Sequence, residues 1–261
     1  MERGESLKIT IITVCKNSER FLIETIESVI QQTYPNIQYI IIDGNSDDNT
    51  VNIIKRYSSN IGMWRSEPDD GMYDAINKGL KFATGDYILV LNSDDVLASK
   101  DIVKAVVDYI SIQKLDFYYG NIIKSKEGKY KKVKLFPATF KELLLSTHST
   151  FIHHSCFFVS NKLNEMLGGY DQQYKYASDY DYILRALVKK DSKGKYLDLY
   201  ISKFRIHDNS ISASGKIEMD RKKILIQHGY FKYAYTTRKF YYYKLWIYYK
   251  IINLGKGYKT G

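Results

Sequence analysis

Cysteine and proline are scarce in this sequence, which has two cysteines and three prolines among 261 residues. Cys15 and Cys156 cannot form the disulfide network that staples small secreted domains, and their spacing does not match a CxxC zinc or redox motif. With few prolines and no low-complexity tract, we expect no long linkers. These shortages predict a chain that is held together by a hydrophobic core in a reducing, cytoplasmic compartment.

Long hydrophobic runs and glycine-rich phosphate loops are also missing. No stretch approaches the roughly 18 consecutive apolar residues of a membrane-spanning helix, and the first residues lack the layout of a signal peptide. The loop after the first apolar run is TVCKNSER, not GxGxxG, and no GxxxxGK[ST] motif occurs. These absences disfavour a dinucleotide-dependent oxidoreductase and a P-loop NTPase.

The net charge of +10 is unevenly distributed along the chain. Residues 216–261 contain eleven Lys and Arg against two acidic residues, a net charge of +9, whereas residues 1–215 contain 28 basic and 27 acidic residues. The basic tail is rich in Tyr, Phe and Trp. Because such side chains favour membrane interfaces and Lys and Arg are attracted to anionic lipids, we expect an interfacial helix. A solvated helix packed on the body is the main alternative, and a nucleic-acid surface is disfavoured.

Apolar segments with strand character alternate with helical patterns over the first half of the chain. The segments at 7–15, 37–44, 62–67 and 86–93 each precede a helical pattern or end in turn residues. This alternation predicts an α/β fold with a parallel sheet. Ligands bind such sheets at the carboxyl ends of the strands. The second half is less regular and predicts a hairpin through Glu127-Gly128 and a further strand at TFIHHSCFFVS.

Carboxylates are concentrated where three of these strands end. Like charges that crowd at one edge need a cation or hydrogen-bond donors, and all-oxygen ligation favours Mg²⁺ or Mn²⁺. We therefore predict a metal-bound diphosphate there, although strand-end aspartates also cap helices. The carboxylates are Asp43, Asp47 and Asp48 after the second strand, Glu67, Asp69, Asp70 and Asp74 after the third, and Asp94 and Asp95 after the fourth.

Four segments resemble the family 2 glycosyltransferases with the GT-A fold. They are ITIITVCKN, IIIDGNSDDNT, SEPDDGMYDAINKGLKFATGDYILVLNSDD and GGYDQQYKYASDYDYILRA, and the resemblance extends over about residues 7–212. The EPDDGMYDAINKG block is similar to enzymes of bacterial exopolysaccharide and lipopolysaccharide synthesis.

The resemblance implies a GT-A domain at residues 1–215, with a Rossmann-like, mostly parallel sheet flanked by helices. Its nucleotide-sugar half covers about 1–110 and its acceptor half about 111–215. Residues 216–261 would form a basic, aromatic helical extension.

The resemblance also implies roles for residues that bind the nucleotide-sugar donor. The end of the first strand would line the base pocket through backbone groups, and Asp43 would bind the base edge. Asn77 and Lys78, in the helical pattern after the third strand, would approach the sugar diphosphate. Asp94 would contact ribose or metal. The implied donor-binding residues are Thr13, Val14, Asp43, Asn77, Lys78 and Asp94.

The metal-binding element implied by the resemblance is Asn92-Ser93-Asp94-Asp95, in which Asn replaces the usual first Asp. Asp95 is the expected direct ligand of Mn²⁺ or Mg²⁺, with Asp94 as the second candidate. His207, in RIHDNSIS, is a further candidate ligand of the metal or the diphosphate.

The resemblance places the catalytic base at Asp179, where Ser178 replaces the usual preceding Glu. A single base with no second nucleophile implies displacement with inversion. The alternative role for Asp179 is to cap the helix that follows it. For His153 and His154 we favour packing or hydrogen bonding over chemistry.

The leading hypothesis is an inverting, metal-dependent transferase that moves a hexose from a nucleotide sugar, expected to be a UDP-sugar, to a lipid-linked saccharide. It would act at the inner face of the cytoplasmic membrane, which the basic tail contacts, in bacterial surface polysaccharide synthesis. A non-catalytic nucleotide-sugar or glycan-binding module is the alternative. A nucleotidyltransferase is disfavoured because no Gly-rich, Arg-containing loop follows the first strand.

Overall fold

The structure is a computed structural model that describes residues 6–146, 152–207, 217–254 and 259–260. Its first half alternates strands and helices as predicted. The elements are β1 (Ile9–Cys15), α1 (Leu22–Ile30), β2 (Ile37–Asp43), α2 (Thr50–Arg56), β3 (Met63–Ser66), α3 (Met72–Leu80), β4 (Tyr87–Val90), β5 (Val96–Leu97) and α4 (Ile102–Ile112).

The second half contains longer strands and ends in helices. The elements are β6 (Phe117–Lys126), β7 (Lys129–Val133), α5 (Phe140–Ser146), β8 (Phe157–Ser160), α6 (Asn161–Leu167), α7 (Ser178–Val188), β9 (Gly194–Arg205), α8 (Ile217–Gln227), α9 (Tyr235–Ile252) and β10 (Lys259–Thr260).

One sheet organises the molecule, in the order β10-β7-β6-β8-β4-β1-β2-β3. The strands β3, β2, β1 and β4 pair parallel with one another. Strand β8 pairs antiparallel with both β4 and β6, and β6 pairs antiparallel with β7. Strand β9 pairs parallel with β6 and antiparallel with β5. The register sets Cys15 opposite Asp43 and Asp43 opposite Ser66, so three strands end at one edge.

The central strands form because their side chains are buried on both faces of the sheet. All seven residues of β1 are buried. Successive side chains point to opposite faces, so Ile9 and Ile11 join one core while Ile12 and Val14 join the other. Continuous apolar runs, rather than alternating ones, are typical of strands in such a parallel sheet.

The hairpin predicted at Glu127-Gly128 is present between β6 and β7. Both turn residues have positive φ, 49° at Glu127 and 73° at Gly128, as a two-residue turn that follows the twist of the strands requires. The strand predicted around TFIHHSCFFVS is shorter than expected. Residues 154–156 form a turn of 3-10 helix, and β8 begins at Phe157.

The C-terminal helices pack on the body through part of their surface. Ile224 of α8 and Leu245 of α9 are buried in the same core as Ile12 and Val14. Just beyond α9, the Asn253 side chain exchanges hydrogen bonds with the backbone N–H and C=O of Lys134. Within the described parts of the chain, no helix combines the length and apolarity needed to cross a membrane.

Candidate active site

A cavity of about 830 Å³ opens where the parallel strands end. Val14 and Cys15 of β1 line it, together with the loop that follows β1, and Asp69 enters from the loop after β3. The segment 92–94 after β4 forms another wall. The cavity therefore lies where ligands bind open α/β sheets.

The predicted metal-binding segment lies on this cavity with Asp94 at the surface. The Asp94 Oδ2 is 2.9 Å from His207 Nε2, and both side chains line the cavity. The two residues are 113 positions apart in sequence, and β9 delivers His207 to the site. One carboxylate and one imidazole at a cavity wall fit a divalent cation whose remaining ligands come from diphosphate and water.

Across the residues described by the structure, no group of three or more His, Cys, Asp or Glu side chains is placed to hold an ion. In Mg²⁺-type sites, substrate phosphates supply several of the ligands. A diphosphate and water would therefore have to complete the coordination of a cation held by Asp94 and His207.

Asp95, the expected direct metal ligand, lies behind this surface. It is fully buried and is absent from the described lining of the cavity. Its Oδ1 accepts a hydrogen bond from the Arg205 backbone N–H at 3.1 Å. Burial, together with the nearby charge of Asp94, raises the pKa of Asp95 well above its usual range. Asp94, rather than Asp95, is therefore presented to a ligand in this conformation.

The loop that carries Asp94 is held by two neighbouring elements. The Thr25 hydroxyl of α1 lies 2.8 Å from the Ser93 carbonyl and 2.7 Å from the Asp95 carbonyl. From β9, Arg205 Nε donates to the Asp94 carbonyl at 3.1 Å. Because both sides of the loop are tied down, the Asp94 carboxylate is preorganised at the cavity wall.

Of the residues expected at the base pocket, Val14 lines the cavity, whereas Thr13 and Asp43 are buried beside it. The Asp43 carboxylate accepts hydrogen bonds from the Ser46 backbone and from the Ser46 and Ser66 hydroxyls. The Thr13 hydroxyl lies 3.1 Å from Tyr39 Oη. The Asp43 side chain therefore orders the turn after β2, and its contact with a base stays a prediction.

Asn77 and Lys78 are absent from the described lining of the cavity, and their side chains make structural contacts beside it. The Asn77 side chain exchanges two 2.8 Å hydrogen bonds with the backbone of Tyr170. Lys78 Nζ donates to the Pro68 carbonyl and lies 2.9 Å from Asp74. Both residues hold loops at the site, and their predicted contacts with a sugar diphosphate remain predictions.

Asp179 lies in the first turn of α7 and lines the cavity. Its Oδ1 accepts a 3.0 Å hydrogen bond from the Tyr73 hydroxyl, and the helix is capped at Ala177 without a side-chain bond. Burial and the neighbouring Asp179 charge raise the pKa of Tyr73 well above its usual range. Tyr73 therefore stays protonated and acts as a donor, which orients the carboxylate.

Tyr73 packs against a stack of two further tyrosine rings. The ring of Tyr170 stacks on Tyr73 at a centroid distance of 5.8 Å and on Tyr182 at 4.3 Å. His154 Nε2 lies 2.6 Å from Tyr170 Oη, and burial lowers the pKa of His154. The hydrogen-bonding role expected for His154 matches this contact.

His153 also lines the cavity and lies against Phe204, with ring centroids 4.3 Å apart. Desolvation, reinforced by the charges of His154 and Lys124, lowers the pKa of His153 to about 3. Its Nδ1 is 3.0 Å from the Ser155 hydroxyl. The ring is neutral at physiological pH and serves as a hydrogen-bonding wall.

Several cavity residues were not singled out from the sequence. Arg20 follows β1 and Lys124 comes from β6, and both bring cationic side chains to the lining. Arg221 of α8 also lines it and lies 5.6 Å from the Tyr180 ring. In the sequence, these three residues are only basic side chains among many others. Tyr73, in contrast, lies in the EPDDGMYDAINKG block, which carries the family resemblance.

The family model described as "Glycosyl transferase family 2" matches residues 10–168, more than half of the chain. The chain is a family 2 glycosyltransferase. An uncharacterized glycosyltransferase of Mycobacterium tuberculosis is 31% identical over 182 residues, which cover 69% of each protein. A PGL/p-HBAD biosynthesis glycosyltransferase of Mycobacterium bovis is 26% identical over 199 residues, or 75% of each protein.

Solved structures confirm the GT-A fold of this glycosyltransferase. S. aureus TarS 1–349 in complex with UDP-GlcNAc has a TM-score of 0.67 at 17% identity, over 85% of this chain and 66% of that one. The mannosyltransferase PcManGT from Pyrobaculum calidifontis, in complex with GDP-Man and Mn²⁺, has a TM-score of 0.63 at 16% identity, over 86% and 64%. This chain spans 39% of the chain in another TarS crystal structure.

Proposed function

We propose that this glycosyltransferase inverts configuration as it moves a hexose from a UDP-sugar to a saccharide acceptor, with Asp179 as the catalytic base. The observation that carries the proposal is the cavity-lining Asp179 carboxylate, held by the Tyr73 hydroxyl in a cavity that Asp94 and His207 also line. Single displacement needs a base for the attacking hydroxyl and groups that stabilise the leaving diphosphate, and we assign these tasks to Asp179 and to the Asp94–His207 pair with its cation.

The residues on the two walls of the cavity would have separate roles in the reaction. Asp179 removes the proton of the attacking hydroxyl while the anomeric carbon gains oxocarbenium character. Tyr73 is a positioning residue, because its hydroxyl donates to the Asp179 carboxylate. On the other wall, Asp94 and His207 would hold Mn²⁺ or Mg²⁺, which when bound supplies charge neutralisation at the leaving diphosphate. Arg20 and Lys124 add positive charge to the same cavity.

The donor class that we propose is supported by relatives of this chain. TarS has been crystallised with UDP-GlcNAc and PcManGT with GDP-Man and Mn²⁺, which supports a nucleotide sugar and a divalent cation. We favour UDP from the resemblance of the motifs.

The mycobacterial relative is named for PGL/p-HBAD biosynthesis. We propose a lipid-linked saccharide as acceptor, used in bacterial surface polysaccharide synthesis at the inner face of the cytoplasmic membrane.

A non-catalytic nucleotide-sugar or glycan-binding module is the alternative. Asn92 and Ser178 depart from the residues expected at their positions, and a module without turnover would tolerate such changes. A binding module has no need for a carboxylate held by a neutral tyrosine at the cavity wall. The Tyr73–Asp179 contact therefore favours the enzyme.

Calorimetric titration with UDP tests the metal half of the proposal. EDTA should abolish most of the affinity that Mn²⁺ supports. Loss of a residue that only supports a metal ligand costs about 10–100-fold in metal affinity, so Asp94→Asn should weaken Mn²⁺-dependent binding at least that much. Asp108→Asn, an exposed aspartate paired with Lys104, is the matched control.

The donor panel completes this test. Nucleotide release from UDP-, GDP- and dTDP-sugars, with and without Mn²⁺ and acceptor, identifies the donor. If a folded Asp95→Asn variant loses metal-dependent binding while Asp94→Asn keeps it, the ligand is Asp95 and our assignment is wrong. If no nucleotide sugar is turned over although UDP binds, the alternative module is correct.

A further inference from the structure

Exposed large apolar and aromatic side chains are concentrated in the C-terminal segment, residues 217–254. Among the described residues, sixteen such side chains are exposed, and eleven of them belong to this segment. Isolated exposed apolar residues need no explanation, whereas a contiguous patch marks an interaction surface. Most of the eleven exposed side chains belong to α9, so this helix carries the largest part of the patch.

Helix α9 has two opposite apolar faces. The inner face contains Leu245, which is 2% exposed, with Tyr241 and Ile252 packed beside it on the core. On the opposite side, Phe240 is 62% exposed and Ile251 is 63% exposed. The exposed set recurs at the spacing of one helical stripe. This stripe, here called the outer face, consists of Phe240, Tyr243, Ile247 and Ile251, and the exposed Leu254 follows beyond the end of the helix.

Basic side chains flank the outer face on both sides. At 3.6 residues per turn, Lys244 lies along one edge of the stripe, and Lys239 and Lys250 lie along the other. All three lysines are exposed. From residue 221 to 261 the sequence has ten Lys and Arg and no acidic residue. The outer face is therefore apolar along its centre and cationic along its rims.

We propose that the outer face of α9 docks on the anionic headgroup surface of a lipid bilayer. The aliphatic and aromatic side chains of the stripe enter the boundary between headgroups and acyl chains, and the lysines pair with lipid phosphates. Trp246 lies beside Lys250, whose Nζ is 5.5 Å from the Trp246 ring, so an interfacial aromatic accompanies the cationic rim.

The charge pattern selects the bilayer over two other occupants. A second copy of the chain would bring the same positive charge to the interface, where the like charges of the two copies would repel each other. A nucleic acid would meet the lysines, but Ile247 and Ile251 offer no π-face on which bases stack. An anionic bilayer complements both the charge and the aliphatic side chains.

The same segment reaches the active site. Helix α8, which precedes α9, contributes Ile217, Glu218 and Arg221 to the cavity lining. Docking through α9 would thus bring the cavity to the membrane where a lipid-linked acceptor resides. This use of the surface rests on the proposed function, whereas docking itself does not depend on any transfer reaction.

Vesicle co-sedimentation of the full chain tests the proposal. We expect binding to vesicles of phosphatidylglycerol and phosphatidylcholine, and much weaker binding to phosphatidylcholine alone. The triple variant Phe240→Gln, Ile247→Gln and Ile251→Gln should lower affinity by about tenfold or more, because burial at the interface is lost. The double variant Lys239→Gln and Lys250→Gln should lower it by about fivefold per lysine that contacts the surface, an effect that salt reduces.

The control replaces exposed apolar residues of the body. Tyr109→Gln, Ile112→Gln and Val188→Gln remove three exposed side chains outside the C-terminal segment, and this variant should bind vesicles as the wild type does. Equal binding by the wild type and the outer-face variant would overturn the proposal.

Two further measurements separate the remaining outcomes. If sedimentation velocity finds a dimer that the outer-face variant disrupts, the stripe is a contact between copies; if the chain prefers single-stranded RNA to vesicles, it is a nucleic-acid surface. UDP titration on the same samples distinguishes this proposal from the proposed function. Vesicle binding without UDP binding would contradict the proposed UDP-sugar transferase and leave the docking surface intact.

Discussion

The body of the chain, residues 6–207, and the C-terminal segment present different surfaces to solvent. Five large apolar or aromatic side chains are exposed on the described body, against eleven on the much shorter segment. The charge differs in the same way, since residues 1–215 are nearly neutral and residues 216–261 carry a net +9. Under our two proposals, chemistry belongs to the body and membrane attachment to the C-terminal segment, and each region has the surface that its role needs.

The two regions nevertheless share one interior. Leu245 is buried with core residues of the body, and Tyr249 packs against both hydrophobic clusters. Removing the segment would uncover this core and expose the partners of Leu245. The segment is therefore part of the folded unit on its inner side and a separate surface on its outer side.

Asp179→Asn should produce the largest effect and should confine it to the body. Because the amide cannot accept the proton of the attacking hydroxyl, turnover should fall on the order of 10²–10⁴-fold. UDP affinity and vesicle binding should stay unchanged, since neither uses this carboxylate. Single-turnover transfer with the best donor of the panel measures the loss, and Asp191→Asn, an exposed aspartate beyond the same helix, is the control.

Tyr73→Phe refines this test. The variant keeps the ring stacked on Tyr170 and removes only the hydrogen bond to Asp179. We expect a smaller loss of turnover than in Asp179→Asn. The loss should appear in kcat and leave the KM for the donor nearly unchanged, because the hydrogen bond orients the Asp179 carboxylate. A higher KM with kcat unchanged would mean that Tyr73 does not act through the base.

Leu245→Ala and Ile247→Ala compare the two faces of α9 by their effect on stability. Loss of the buried Leu245 side chain should lower the free energy of unfolding by about 2–5 kcal/mol, because a cavity remains in the core. Ile247 is exposed, and its replacement should change that free energy by less than about 0.5 kcal/mol. Urea denaturation monitored by circular dichroism measures both, and similar losses would contradict the two-faced helix.

The parallel part of the sheet could be predicted from the sequence because its strands are continuous apolar runs. Residues 7–15 and 37–44 admit few alternatives to buried strands, and the structure places β1 and β2 within them. The strand ends then located the ligand edge by a general rule of α/β sheets. Element boundaries were predicted less well, as the short β8 illustrates.

The orientation of adjacent site residues could not be predicted in the same way. Asp94 and Asp95 are neighbours with the same chemistry, and only the backbone path between Thr25 and Arg205 determines which one faces the cavity. The hydrogen bond between Tyr73 and Asp179 joins residues 106 positions apart. No local pattern encodes such a contact, because it depends on how α3 and α7 pack.

The composition of the tail, likewise, could not distinguish a helix at a membrane interface from a helix packed on the body. Its aromatic and basic residues favoured an interfacial helix over a helix packed on the body. The structure shows that α9 packs on the body through Leu245 and leaves Phe240 and Ile251 exposed on the other side. With apolar residues on two sides of the helix, the sequence has no single polar face that would separate the two interpretations.

His228→Ala tests the contact between the two regions, and its expected effect is smaller than that of Leu245→Ala. His228 Nε2 of the segment lies 2.8 Å from Asp181 Oδ1, and Arg185 Nε lies 2.6 Å from Asp181 Oδ2. Burial opposes ionisation of Asp181, but the hydrogen bond from His228 and the Arg185 charge outweigh it and lower the pKa of Asp181. Loss of the imidazole should therefore lower the free energy of unfolding by about 1–3 kcal/mol at neutral pH.

The pH dependence of that loss identifies its origin. A carboxylate whose pKa is lower in the folded state stabilises the fold above its unfolded pKa, and this contribution disappears as pH falls through the folded pKa. The difference in the free energy of unfolding between His228→Ala and the wild type should therefore become smaller below about pH 4, near the ordinary pKa of an aspartate in the unfolded chain. Lys244→Gln, which removes the exposed contact with Glu142, should cost less than about 1 kcal/mol. Equal losses in the two variants would mean that the buried Asp181 contact does no more to join the segment to the body than a surface ion pair does.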